Sequence, residues 1–326
     1  MPFPILQIPF DVRSEIISLL RPNEIVTASF SSKNFKRLIK KQYQRPSKLK
    51  FDVHIGYKGL IGNCQGIVLS AEHISELSEK AHEIICTNGY KRGFSSKFPV
   101  LYFENRVMGT KMIIDYVTDL FGTCIDELYV DRNGIWAIDW INSRQSKPLA
   151  CLFLVKADNG DPIADEEAEY VLRYSKIGEL LDIRVKVSEN FRLTGKLGPF
   201  HHLSISEGQW INCDNLMNVD ATVFAVHNSR LTDSELNAFL RHWRSGGSPR
   251  LEVLDMNFER EVLVPAWFDP ELEIVETDEV RRYRYRDGSE MEIQGGFSIQ
   301  RMDGVNATIV CDLGQFCMVV WHSDGH

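Results

Sequence analysis

The chain has 326 residues, 44% hydrophobic and 25% charged, with a formal net charge of −8; it is long enough for one or two domains with a sizeable core. This composition excludes wholesale disorder, and no apolar run approaches the roughly 18 residues a membrane helix needs. Residues 1–50 carry ten Lys/Arg against three Asp/Glu, a net of +7, which leaves −15 on residues 51–326. From Lys33 to Lys50 there are eight basic residues and no acidic one, a block suited to an acidic partner or to a solvated helix face. The acidic remainder argues against a chain devoted to nucleic acid. The N-terminus is interrupted by Pro2, Pro4 and Pro9 and lacks the basic start and cleavage site of a signal peptide. Seven scattered cysteines with no CxxC pair fit a reduced, intracellular setting, cytoplasmic with the nucleus also open.

In chain order, the spacing of Val12, Ile16, Ile17, Leu19 and Leu20 predicts an apolar helical face after Pro9 and Asp11. Arg21-Pro22 ends that helix, and Pro22 suits the first turn of a second, running through Glu24, Ile25, Val26 and Ala28 to about Phe30. Ser31 or Ser32 caps a third, in which Phe35, Leu38 and Ile39 face inward and the lysines outward. Three helices this short cannot bury all their apolar surface among themselves, so part of it is expected to meet a partner.

Next come strands at Lys48 to Val53 and Ile67 to Leu69 around a loop holding Gly56, Gly59, Gly62 and Gly66, then an amphipathic helix through Met112, Ile113, Tyr116, Val117, Leu120 and Phe121. Strands follow at Leu128–Val130, Leu152–Val155, Ile183–Val187, Leu203–Ile205, Val223–Val226 and Leu254–Met256. Helical patterns lie between them at Ile135 to Ile141, Glu166 to Tyr174, near Asn212–Met217, and at Asp233 to Trp243 behind the capping box Thr232-x-x-Glu235. Repeated strand, crossover helix and strand imply parallel neighbours, and the repeat length lies near that of leucine-rich repeats although the signature is degraded. From Arg281 the chain reads as an antiparallel meander with turns at Asp287-Gly288, Gly295-Gly296 and Asp303-Gly304. The expected fold is α+β: an N-terminal three-helix unit, a curved leucine-rich-repeat-like α/β sheet over about 110–260, and a C-terminal β-meander over about 272–322. A flat doubly wound sheet is the alternative.

The run Leu6-Gln7-Ile8-Pro9, then Ile16-Ile17-x-Leu19-Leu20-x-Pro22, then Ser31-Ser32-Lys33-Asn34-Phe35 and Leu38-Ile39 resembles an F-box. Ile8 stands where the family starts with Leu, Ser31 where Val is common, and Phe35 where Trp is common. Residues 219–258, above all Leu231 to Gly247 with Leu251-Glu252-Val253-Leu254, resemble the type-2 F-box-associated domain of a nematode-expanded F-box family. Arg301-Met302-Asp303-Gly304 followed by Ala307-Thr308-Ile309 is similar to that family's ending. The resemblance implies an F-box over 1–45 and a substrate-recognition domain over 46–326. It implies docking on a Skp-type adaptor, and through it a cullin, with Ile8, Pro9, Ile16, Leu20, Pro22, Ile25 and Phe35 as contacts or their immediate support.

The search for chemistry comes back thin. GxSxG, HExxH and GxxxxGK are absent. Gly59-Leu60-Ile61-Gly62 matches the GxxG of KH domains, but it reads as a turn between strands rather than a loop joining two helices. His201 and His202 are adjacent, which on a strand sends them to opposite faces and away from a shared metal. Asp158-Asn159-Gly160-Asp161 lacks the sixth-position glycine of a calcium loop and reads as a polar turn. Cys311 and Cys317 have no activating neighbour in sequence and read as core, as do Trp136 and Trp140. The expected protein is therefore a non-catalytic substrate receptor of an SCF-type ubiquitin ligase, with no cofactor and no metal. Its partners are the adaptor and a protein target that the sequence does not name. The other reading is a free-standing leucine-rich-repeat-like interaction module whose N-terminal helices merely cap the sheet.

Strand alternation places Leu128, Val130, Ile183, Val185, Leu203, Ile205, Val223, Ala225, Leu254 and Met256 inward. The intervening Tyr129, Arg184, Lys186, His202, Ser204, Ser206, Phe224, Asp255 and Asn257 then line an open face, where Tyr129, Arg184, Lys186 and Phe224 are expected to contact the target.

Overall fold

A computed structural model of the chain describes residues 8–43, 49–77, 85–87, 90–94, 97–157, 165–259, 268–312 and 314–322. It falls into two compact units that divide in sequence after residue 149. The fold is mixed α+β, with helices at the N-terminus and sheet dominating the rest.

The first unit opens with α1 (Phe10–Leu19), α2 (Pro22–Ser31) and α3 (Lys33–Gln42). Pro22 takes the first turn of α2, where no amide hydrogen is needed, and the Glu24 carboxylate accepts the Arg21 N–H at 2.7 Å. Ser32 caps α3 by accepting the Phe35 N–H at 3.3 Å. The strands are β1 (Asp52–Ile55), β2 (Gly59–Asn63), β3 (Gly66–His73), β4 (Ile85–Thr87), β5 (Tyr90–Phe94), β6 (Pro99–Phe103) and, after helix α4 (Arg106–Phe121), β7 (Glu127–Val130); α5 (Trp136–Arg144) closes the unit. Their order is β7-β1-β2-β3-β6-β5-β4. The glycine-rich stretch expected to be a loop thus contains a strand of its own, β2, paired antiparallel on both sides, and Gly59-Leu60-Ile61-Gly62 lies in it. Thr110 explains one of these glycines: a Cβ on Gly59 would meet its Oγ1 at 2.3 Å.

Helices α2 and α3 are built into this unit. Ser29 Oγ lies 2.8 Å from the Tyr116 hydroxyl, the Phe30 and Tyr116 rings sit 4.8 Å apart, and Tyr43 meets Phe121 edge-on at 5.1 Å. Lys40 and Lys36 reach Asp119 of α4 at 2.5 and 3.6 Å, so part of the basic block is engaged within the chain.

The second unit contains β8 (Leu149–Leu154), α6 (Asp165–Tyr174), β9 (Ile177–Ile183), β10 (Leu197–Ile205), α7 (Cys213–Asn218), β11 (Val219–Ser229), α8 (Asp233–Arg244) and β12 (Val253–Phe258). It ends in β13 (Val275–Arg284), β14 (Glu290–Gln300), β15 (Asn306–Asp312) and β16 (Gln315–Trp321). Strands β8 to β12 lie side by side in chain order, and β9 to β12 are mutually parallel. The meander then returns as β16-β15-β14-β13, with β16 antiparallel to β12. The box before α8 forms as its sequence predicts: Glu235 N–H donates to Thr232 Oγ1 at 3.3 Å and Thr232 N–H donates to the Glu235 carboxylate at 2.8 Å.

Three expectations are corrected here. The strand expected at Ile183–Val187 ends at Ile183 and begins at Ile177. Gly295-Gly296 is not a turn but lies inside β14, where Gly295 faces a bulge of β13 at Asp278 and Glu279: their φ values are 70° and 123°, and Cβ atoms there would meet the Thr277 and Ile309 carbonyls at 2.9 and 2.5 Å. The alternation expected for β11 is inverted. Phe224 pairs in register with Leu203 and Leu254 and is 2% exposed, so it belongs to the core face. Val223 and Ala225 lie on the other face, in register with His202 and Ser204. Every residue from Ala221 to Val226 is buried, so this stretch is covered on both sides, and the run Val223 to Val226 offers no polar residue to mark an outer face.

Candidate functional site

Two surfaces stand out, one in each unit. In the first unit, Ile17, Ile25 and Val26 are fully buried, and Phe35 and Pro22 are buried with them. On α1 the opposite side is uncovered: Val12 is 50% and Leu19 79% exposed, Pro9 is exposed, and Ile8, Ile16 and Leu20 are half-buried. Positions 12, 16 and 19 follow the helical repeat, so these side chains form one apolar ridge. Of the residues singled out from sequence, Pro9, Ile16, Ile8 and Leu20 belong to this ridge or its flank, whereas Pro22, Ile25 and Phe35 are its internal support. Leu19 and Val12 are exposed ridge residues that the resemblance did not single out. The helical periodicity contained them, but within Ile16-Ile17 and Leu19-Leu20 only packing decides which member turns inward.

In the second unit, β13 and β14 form a long hairpin closed at Asp287-Gly288. Ser289 donates N–H and Oγ–H to Asp287 at 2.8 and 2.6 Å, and Gly288 has a φ of 87°. Only Phe297–Gln300 of β14 pairs with β15, so beyond Gly295-Gly296 the hairpin is paired with itself alone. That distal half folds over the sheet: Tyr283 and Ile293 are buried against Val223, Val253 and Val319. The Tyr283 hydroxyl donates to Glu252 at 2.7 Å.

Between the sheet and the hairpin tip lies a cleft of about 620 Å³. Its floor includes His202, Ala225 and Asp255, and its roof Tyr283, Tyr285 and Arg286. Burial lowers the His202 imidazole from its ordinary value, with the neighbouring His201 adding to the effect. The Tyr285 phenol is pushed up to about 12 by burial, then by Cys317 and Asp255. Burial likewise pushes the Cys311 and Cys317 thiols up to about 12, the reverse of the depressed value an attacking thiolate needs. Among the described residues no group of three His, Cys, Asp or Glu is placed to hold a metal ion. Such surroundings suit binding better than bond-making.

The four residues expected to meet a target are divided between the two units. Tyr129 is in the first unit, stacked on His54 at 4.2 Å. Phe224 is core. Arg184 is exposed, ion-paired with Asp182 at 2.7 Å and seated over the Phe153 ring at 4.7 Å. Lys186 lines a separate polar pocket of about 470 Å³ beside Arg192, Arg230 and Trp210. The polar turn expected at 158–161 lies outside the described residues.

Comparisons with known proteins agree with this anatomy. Residues 5–45, which contain α1 to α3, match the family model described as F-box domain. Residues 197–256, from β10 through α7, β11 and α8 into β12, match the model described as F-box associated. A Caenorhabditis elegans protein, described as Skn-1 dependent zygotic transcript 15 protein, is 23% identical over 348 residues, covering 94% of this chain and 93% of its own length. No solved structure matches the chain. With three packed N-terminal helices and a parallel sheet each matched in that order, the chain is an F-box protein whose second unit carries an F-box associated region.

Proposed function

We propose that this chain is the substrate-recognition subunit of an SCF-type cullin-RING ubiquitin ligase, acting in the cytoplasm or nucleus. Its F-box docks a Skp-type adaptor, which links it to a cullin, and its second unit holds a protein target. The observation that carries this reading is the α1 ridge. Val12 and Leu19 are left uncovered beside half-buried Ile16, while the helices behind them are locked to α4 and β3. An apolar stripe on a rigid support is the form of a helix-borne interface. The second unit is read as a leucine-rich-repeat-like sheet, supported by strands in chain order with helices in most of the crossovers. Such a subunit needs no reaction of its own, because holding a target beside the transferring enzyme raises its effective concentration.

The test is copurification of a Skp-type adaptor with the wild-type chain and with Val12→Asp/Leu19→Asp. Both positions are exposed, so the variant keeps its fold while charge enters the interface. The reading predicts loss of the adaptor. Wild-type recovery with the variant removes the ligase role and leaves a free-standing interaction module.

A further inference from the structure

The cleft under the β13–β14 hairpin has a specific electrostatic character. Asp255 stands on its floor, open to solvent, and among the described residues no hydrogen bond or ion pair ties it to the protein. Of the other carboxylates nearby, Glu252 accepts the Tyr283 hydroxyl and Asp287 is held by Ser289, while Glu179 adds a second acidic group to the lining. Asp182 lies at the far end of the same row across the sheet, through Ser204 and Ala225. It is 7% exposed, and its Oδ1 also lacks a partner among the described residues, although its Oδ2 takes Arg184. Above Asp255 sit the Tyr283 and Tyr285 rings, edge to face with centroids 5.0 Å apart.

The cations in reach are few. Arg286 at the hairpin tip is the fixed one in the lining, while burial holds His201 and His202 toward their neutral forms. Partial burial also raises the Asp255 carboxyl, opposed by His227. The setting repeats at larger scale: residues 150–326 hold 17 Lys/Arg against 30 Asp/Glu, a net of −13. A partner drawn to this unit over distance is basic.

We propose that the cleft receives a lysine or arginine side chain from a target segment, with the Asp255 carboxylate as counter-ion and the Tyr285 ring as an aromatic wall. Carboxylate and ring act on the same cation, one through charge and the other through its quadrupole. The proposal deepens the reading of the second unit as the target-binding part and rests on it.

Fluorescence anisotropy of the full chain tests it with labelled decapeptides of alternating Arg and Gly, Lys and Gly, or Glu and Gly, without any adaptor. The basic peptides should bind and the Glu peptide should not. Asp255→Asn should weaken basic-peptide binding by about tenfold and Tyr285→Ala by several-fold, while Tyr285→Phe, which keeps the ring, stays near wild type. Glu276→Gln removes an equal charge from an exposed site on β13 outside the cleft, so it controls for net charge. Equal weakening by Glu276→Gln and Asp255→Asn would reduce the effect to overall charge and overturn the proposal, as would equal binding of the Glu peptide. Adaptor copurification is scored separately on Asp255→Asn. Its retention with lost peptide binding separates this site from the F-box, and loss of the adaptor only in Val12→Asp/Leu19→Asp tests the ligase reading by itself.

Discussion

Tyr283 of the β13–β14 hairpin donates its hydroxyl to Glu252, immediately before β12, at 2.7 Å. Tyr283 is 5% exposed and packs on Val223 and Val253, so this bond ties the meander's free end to the parallel sheet. Burial, then the Glu252 bond, raises the phenol well above its ordinary value, keeping it a donor throughout the accessible pH range. Tyr283→Phe keeps the packing and strands a half-buried carboxylate, at an expected cost of about 1.5–3 kcal/mol. Tyr283→Ala also empties the space under the hairpin and is expected to cost about 3–5 kcal/mol. Urea titrations of the three proteins check the order; a Phe variant as stable as wild type would show that the bond contributes nothing net.

The F-box ridge and its support separate in the same way. Leu19→Asp, at a position 79% exposed, should change stability by no more than about 0.5 kcal/mol. Ile25→Asp, at a position with no exposure, places a charge in the α2 packing and should cost more than about 4 kcal/mol. Thermal melts of the two variants distinguish contact from support before any partner is added. Similar melting temperatures would contradict the packing described here.

Phe224 gives a third contrast. Its place between Leu203 and Leu254 makes Phe224→Ala a core deletion, expected to destabilise by about 3–5 kcal/mol. Lys186→Glu, at an exposed position, should change stability by no more than about 0.5 kcal/mol. Denaturation midpoints measured side by side decide between them, and a Phe224→Ala protein of wild-type stability would return this residue to the surface.

Acid should loosen the hairpin cleft. The folded His202 imidazole is lowered from 6.5 chiefly by burial. Below pH 6.5 the unfolded chain therefore binds a proton that the folded chain resists. Stability is fully present above 6.5 and falls as the pH drops from there through the lower folded value. Neighbouring Asp182 and Asp287 act in the opposite direction but do not reverse the shift. His202→Gln has no such proton, so its stability should decline less between pH 7 and 5 than that of wild type. Guanidinium midpoints across this range measure the difference; parallel curves would remove His202 as a contributor.

Local signals determined much of this protein. Pro22 in a first turn, Ser32 and Thr232 at caps, and Asp287-Gly288 and Asp303-Gly304 at turns act through the backbone of their immediate neighbours, so their effect is written in consecutive residues. The two family resemblances rest on such segments. What only the tertiary structure decided is which side of an element faces what. In β11 the run Val223 to Val226 is apolar on both faces, with the β13–β14 hairpin packed on Val223, so its alternation is silent about Phe224. On α1 the pairs Ile16-Ile17 and Leu19-Leu20 are equivalent until α2 and α3 choose Ile17 for the interior. The Asp255 cleft is farther still from the sequence: its floor and roof meet only where the β13–β14 hairpin folds over strands that precede it by about 30 residues or more. Burial and orientation are set by partners distant in sequence, and a pattern of neighbouring residues does not contain them.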